Sequence, residues 1–167
     1  MGIQQLIWAI AKVTDAFDAA VYSAGDLDAA LAVAAPDCVL ENVPIGRGAR
    51  DREDLRRHLG EDVLPHLPAD LAFRRLSRTV DQRRVVDEVM VGFTHDRELP
   101  WLLPGVDPTG RRAEVLAVSV TTVRQGRLLA VRTLWDLTTL LAGLGLPGDT
   151  VRPAPVPLAG EGPRGWW

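Results

Sequence analysis

The chain has 167 residues, 47% of them hydrophobic and 25% charged, with a formal net charge of −3 and a single cysteine, Cys38. That length suits one domain burying roughly two-thirds of its unfolded surface, and the composition excludes general disorder. The acidic balance offers no basic excess for a phosphate backbone, one cysteine excludes a disulfide framework or cysteine-rich zinc module, and no apolar run approaches the ~20 residues of a spanning helix.

In chain order, Ile3, Leu6, Ile7, Ile10, Val13, Phe17, Ala20 and Val21 recur at three- and four-residue steps and predict an amphipathic first helix. This opening segment has no cleavage-like pattern, so the expectation is a cytosolic protein without a nucleic-acid or membrane partner. Gly25 is a stop and Asp26 an N-cap for a second helix through Leu31 and Val33, ended by Pro36. Cys38 to Val43 reads as a strand with Cys38 inert in its core, followed by a Pro44–Gly48 loop. Asp51 and Asp54 resemble a capping box opening a third helix with Leu55, Leu59 and Val63 on its apolar face.

After Pro68 the period becomes strand-like. Strands are expected over Leu71–Val80, Val85–His95, Ala113–Arg124 and Arg127–Asp136, with Gln125-Gly126 as the turn between the last two. Residues 96–112 form a long loop with Pro100, Pro104, Gly105, Pro108 and Gly110, suited to a pocket lid or to covering core or partner surface. A last helix covers about 137–144. Strands and helices are segregated, which predicts α+β with a mostly antiparallel sheet. The domain is expected to span 1–150. Residues 151–167, with Pro153, Pro155, Pro157 and Pro163, read as an extended or disordered tail ending in Trp166 and Trp167.

The stretches Ala24-Gly25-Asp26-Leu27-Asp28 and Ala35-Pro36-Asp37-Cys38-Val39-Leu40-Glu41-Asn42-Val43-Pro44 are similar to the opening of nuclear transport factor 2-like domains. Leu103-Pro104-Gly105-Val106-Asp107-Pro108-Thr109-Gly110-Arg111 resembles a loop of SnoaL-like polyketide cyclases, as does Leu134-Trp135-Asp136 before a helix ending Leu144-Gly145-Leu146. The resemblance spans roughly 3–147. It implies a curved, mostly antiparallel sheet wrapped around three to four helices, forming a cone with an apolar pocket, and a homodimer paired through the sheets. The positions matching the carboxylate base and oxyanion tyrosine of the superfamily's ketosteroid isomerases are Asn42 and Asp18, which argues against steroid-type isomerisation. The late aspartate that serves as acid/base in the polyketide cyclases matches Asp136.

Asp136 directly precedes the final helix, so it suits either an N-cap or a base. Along strand 85–95, Val86, Glu88, Met90, Gly92 and Thr94 share one face, and Val89, Val91, Phe93 and His95 the other. An inward Glu88 is an acid/base candidate and an outward one a surface charge; His95 is a proton shuttle or a strand-end residue bonded to the loop backbone. Arg132 or Asn42 is placed at a developing oxyanion. Trp101 and Trp135 shape the pocket, and Met90 and Phe17 line it. Lys12 is the only lysine, so no Schiff-base chemistry is expected, and His58 and His66 lack metal-ligand spacing, so no metal site and no cofactor are expected.

Together these features point to cofactor-independent acid/base catalysis, a cyclisation or isomerisation, on a polyketide-like or other small carbonyl compound of secondary, antibiotic-type metabolism. The other readings are epoxide hydrolysis, which needs two inward carboxylates, and non-catalytic binding of a hydrophobic small molecule.

Overall fold

The apolar stripe of the first helix becomes α1 (Ile3–Asp18), which buries Ile10, Thr14 and Phe17. A π-helical turn, Ala19–Ala24, extends it and buries Ala20 and Val21 until Gly25, at φ +62°, ends the run. The computed structural model describes residues 1–155; Trp166 and Trp167 lie outside the described residues.

Asp26 caps α2 (Leu27–Val33), accepting from the Ala29 amide at 2.9 Å. The helix ends at Val33, before Pro36, because β1 (Ala34–Asn42) already begins there. Pro36 has no amide to donate and sits where the pairing register of β1 shifts, between Ala34 and Val39. A hairpin strand that sequence periodicity did not reveal, β2 (Arg47–Ala49), pairs with β1. Gly48 is required there, since a Cβ would run into the Leu40 carbonyl. The Asp51–Asp54 pair does cap α3 (Arg52–Arg57): Asp51 accepts from the Asp54 amide at 2.8 Å, and Asp54 from the Arg50 amide at 3.0 Å. A π-helical stretch, His58–Val63, continues α3.

The remaining strands are β3 (Ala72–Val80), β4 (Arg84–Thr94), β5 (Arg112–Arg124) and β6 (Arg127–Trp135), followed by α4 (Leu137–Gly143). The sheet is six-stranded, ordered β2-β1-β6-β5-β4-β3, curved and unclosed. Every pairing is antiparallel except β1 with β6. The α+β cone expected from the sequence is therefore the observed architecture.

Two apolar clusters hold the helices against the concave face. Phe17, Leu31, Leu55, Leu59 and Leu128 lie in one, and Phe93, Leu99, Leu103, Leu140 and Leu141 in the other; Trp101 packs against both. The long loop after β4 thus covers core, with Leu99, Leu102, Leu103 and Val106 all buried. Val151 is buried in the same cluster, and the Ala154 amide donates to the Pro44 carbonyl at 2.9 Å.

A register shift in β3 between Arg75 and Ser77 has a local consequence. Alternation alone would put Arg75 and Arg78 on opposite faces. The inserted residue brings both onto the concave face, where both meet Asp87 of β4.

Candidate functional site

The concave face and the helices enclose a cavity of ≈ 520 Å³, large enough for a small organic molecule. Strand alternation decides what it contains. From β4 it receives Asp87, Val89 and Val91, from β5 Val115, Ala117 and Ser119, and from β6 Val131, Thr133 and Trp135. Phe17, Asp18 and Tyr22 enter from α1 and its π-helical turn, Phe73 from β3, and His58, Leu59 and Val63 from the α3 side.

The same alternation excludes several residues that the sequence placed at the site. Glu88 and Met90 lie on the opposite face of β4 from Asp87 and Val89, and neither lines the cavity. The Glu88 carboxylate instead accepts from the Ser77 hydroxyl at 3.1 Å, across the β3–β4 pair. Arg132 lies outward on β6 and donates to Glu41 at 2.9 Å. His95 is on the inward face but fully buried beyond the cavity wall. Its amide donates to the Arg111 carbonyl and its carbonyl accepts from Gly110, both at 2.8 Å, so it closes the neck of the long loop. Burial holds its imidazole below the usual histidine range.

Asp136 is also outside. It is exposed, and it caps α4 by accepting from the Thr138 and Thr139 amides at 2.9 and 3.2 Å and from the Thr139 hydroxyl at 2.6 Å. These bonds, the Thr139 hydroxyl first, hold its pKa below the ordinary 3.8. A carboxylate so tied is a poor base, and its position at a strand end just before a helix N-terminus fixes the capping role.

Phe17, Asn42, Trp101 and Trp135 do line the cavity. Asn42 is buried and committed as a clamp: its amide nitrogen donates to the Trp101 carbonyl at 2.7 Å, and its oxygen accepts from the Trp135 indole at 2.6 Å. One side chain therefore fixes both tryptophans, and these two bonds leave the second N–H of its amide unused.

The charged end of the cavity lies under α1. Asp87, only 5% exposed, receives two hydrogen bonds from Arg78 at 2.7 and 2.8 Å and an ion pair from Arg75 at 3.1 Å. Arg78 and Arg75 also reach Asp15 at 2.8 and 3.4 Å. Asp18 stands beside this group and has no hydrogen-bond partner among the described residues. Burial, then the Asp87 and Asp15 charges, push its carboxyl from 3.8 up to about 6, against the opposing pull of Arg78 and Arg75. Tyr22, one turn on, faces Phe73 with ring centroids 4.8 Å apart. Burial and the Asp18 charge push its phenol above the ordinary 10, so it stays a neutral donor.

Asp18 and Asp87 are the residues that sequence reasoning misplaced or missed. Asp18 lies next to the apolar stripe of α1, and Asp87 interrupts the Val-rich run of β4 on the same face as Val89 and Val91; both are signals a pattern search can use. Among the described residues, no group of three or more His, Cys, Asp or Glu side chains is placed to hold a metal ion, and no helix is long and apolar enough to cross a membrane.

The sequence profile of the SnoaL-like domain matches residues 13–131. No functionally curated protein matches the sequence. Among solved structures, a proposed SnoaL-like polyketide cyclase from Jannaschia sp. CCS1 is similar, with a TM-score of 0.66 and 19% identity over 87% of this chain and 94% of that one. AclR, a proposed hydroxylase from Streptomyces galilaeus, has a TM-score of 0.63 and 22% identity over 84% and 99%. The Δ5-3-ketosteroid isomerase of a Mycobacterium species has a TM-score of 0.58 and 20% identity over 78% and 95%.

Two outcomes follow from the two aspartates. For Asp18, the folded state keeps a proton up to about pH 6 that the unfolded chain releases near pH 3.8. Stability should therefore fall as pH rises through that window, and Asp18→Asn should be more stable than the parent by on the order of 1–3 kcal/mol above it. Thermal melts at pH 8 should show the gain, and it should vanish below pH 3.8. Asp136→Ala should instead lower Tm by about 2–4 °C near neutral pH through loss of the cap, while the Asp18 carboxyl, followed by ¹³C NMR, keeps its titration midpoint.

Proposed function

The chain belongs to the SnoaL-like domain family, and we propose that it performs cofactor-independent acid/base chemistry on a small, largely apolar carbonyl compound of the polyketide-like kind, a cyclisation or isomerisation in secondary metabolism. The observation that carries this reading is Asp18, a carboxyl raised to about 6 without a hydrogen-bond partner among the described residues, in a cavity whose aromatic wall is Phe17, Tyr22, Phe73, Trp101 and Trp135. A base that removes a proton next to a carbonyl works best when its pKa approaches the working pH, and desolvation supplies that here. The cyclase and isomerase descriptions of the structural neighbours agree with this chemistry.

In this mechanism the aromatic walls and the Asn42 clamp hold the ligand flat against the sheet. Asp18 takes a carbon-bound proton as the neighbouring carbonyl becomes an enol or enolate. In an isomerisation the proton returns to a second carbon, and in a cyclisation the enolate carbon attacks a second carbonyl, whose π pair becomes an alkoxide that takes the proton back from Asp18. Oriented acid/base help of this kind is worth roughly 10²–10⁴ in rate. An epoxide-opening version that pairs Asp136 with Glu88 is disfavoured, because both carboxylates lie outside the cavity.

The test is deuterium incorporation from D₂O into 2-tetralone, 2-decalone and larger polycyclic ketones, followed by NMR. The parent should accelerate exchange at the carbon next to the carbonyl, with an acid limb near pH 6, and Asp18→Asn should abolish it. Parent protein that exchanges none of the ketones defeats the proposal and leaves a binding protein.

We also propose that the protein is a homodimer paired through its sheets, because the convex face carries Leu76, Leu116 and Leu134, each more than two-fifths exposed. Leu116→Glu should convert a dimer to a monomer by light scattering on a sizing column; a monomeric parent overturns this assignment.

A further inference from the structure

His58 is a buried polar side chain to which the chemistry above assigns no role. It is 6% exposed, yet it lines the cavity. Its Nδ1 lies 3.0 Å from Asp62, one turn further along the π-helical stretch that continues α3. An ionised carboxylate only accepts hydrogen bonds, so Nδ1 must carry the proton in this pair. The remaining nitrogen, Nε2, is not among the fully buried side-chain atoms left without a partner, whereas His95 Nε2 and Trp101 Nε1 are. Asp62 takes Nδ1, which leaves Nε2 as the nitrogen that His58 can offer to the cavity it lines.

His58 and Asp18 line the same cavity from different elements. The Asp18 group is built against β3 and β4, at one end of the strand order, while α3 packs on β1, near the other end. Tyr22 stands one turn from Asp18 on the same helical run, and so on the same side of a bound ligand. The C–H bond that breaks stands out of the carbonyl plane, whereas the oxygen accepts a proton in that plane, so base and proton donor are separate groups. His58 offers a donor from a second element.

We propose that His58 is a second catalytic residue, its Nε2 exchanging a proton with the substrate's carbonyl oxygen while Asp62 positions the ring. The inference rests on the Asp18 reading above and completes its proton balance. In the forward step the C–H bond breaks and its proton goes to the Asp18 carboxylate. The C–H electron pair forms the enol double bond, the carbonyl π pair takes the proton from Nε2 of the imidazolium, and that N–H bond breaks. In the return step the enol oxygen gives its proton back to Nε2, and Asp18 protonates the second carbon. No oxidant, reductant or metal enters. The Asp62 carboxylate balances the imidazolium, and it holds the ring through Nδ1 in both steps.

The experiment uses the ketone exchange assay with full-length His58→Gln and Asp62→Asn, each checked for folding by circular dichroism. His58→Gln should slow deuterium incorporation by about 10²–10⁴-fold while ketone binding, followed by tryptophan fluorescence, stays within a few-fold. Asp62→Asn should slow it by roughly tenfold and move the pH dependence of the rate, as a positioning role requires. Independently of turnover, two-bond ¹⁵N–¹H spectra of the parent should show the proton of neutral His58 on Nδ1, and Asp62→Asn should redistribute it. Exchange by the parent that His58→Gln leaves unchanged overturns this inference while the Asp18 reading stands. Parent protein without exchange removes the Asp18 reading and this inference with it. A proton found on Nε2 of neutral His58 overturns the pairing with Asp62 whatever the rates show.

Discussion

Everything at the charged end of the cavity depends on burying Asp87. A carboxylate on the inward face of a central strand must be paired or give up its charge. Here it is paired, and the pairing needs two arginines from one neighbouring strand, which is possible because the register shift in β3 turns Arg78 onto the face already held by Arg75. Those two guanidinium groups are shared with Asp15. Three aspartates thus stand against two arginines, and the one left over is Asp18. Its raised carboxyl follows from that count together with its burial. A proton neutralises the site at low pH, and near neutrality the site holds a base in want of one.

The rest of the cavity surrounds this carboxyl largely with apolar and aromatic side chains. Asn42 fixes two tryptophans by pairing a backbone carbonyl with an indole N–H. That spends a buried amide on geometry, and it holds Trp101, which belongs to a long loop, against Trp135, which belongs to the sheet. The loop is itself held shut, because His95 binds its far end through two main-chain hydrogen bonds and Leu99, Leu102 and Leu103 are buried beneath it. A segment rich in proline and glycine therefore behaves as part of the wall. Rigid walls matter for an acid/base site, since alignment of the C–H bond with the base is what the protein supplies beyond the carboxyl itself.

The fold was legible because its elements repeat a pattern. The α1 stripe, the Asp26 and Asp51 caps and the alternation of β4 and β5 each state their element several times over. The site was less legible, because it rests on single choices. Alternation along β4 separates Glu88 from His95, but it does not say which set faces in; that depends on how the sheet curves and which helices pack on it. Nor does alternation foresee a shifted register, and without the shift Arg75 and Arg78 are not a pair. The capping position of Asp136 was readable, since a carboxylate just before a helix has amides to bind. The short β2 strand carried too few residues to register as a period, and π-helical turns such as His58–Val63 have no sequence signal that separates them from an α-helix.

The resemblance to ketosteroid isomerases and polyketide cyclases identified the container more securely than the reacting groups. It matched Asp136 to an acid/base, and in this chain that residue is taken by the helix that follows. It matched Asp18 to a position where the isomerases place a tyrosine, which argued against steroid-type isomerisation. Yet a wall position constrains what a side chain can reach, not which side chain it is. Exchanging a phenol for a carboxyl at a helix position facing the cavity keeps the address and changes the group from a donor that stays neutral to one that titrates near neutrality. On the proposed acid/base reading, moving the titrating group from the sheet to the helix also moves the end of the ligand that must carry the labile carbon. The orientation of the ligand, and with it the product, would then follow from which wall holds the uncompensated carboxyl.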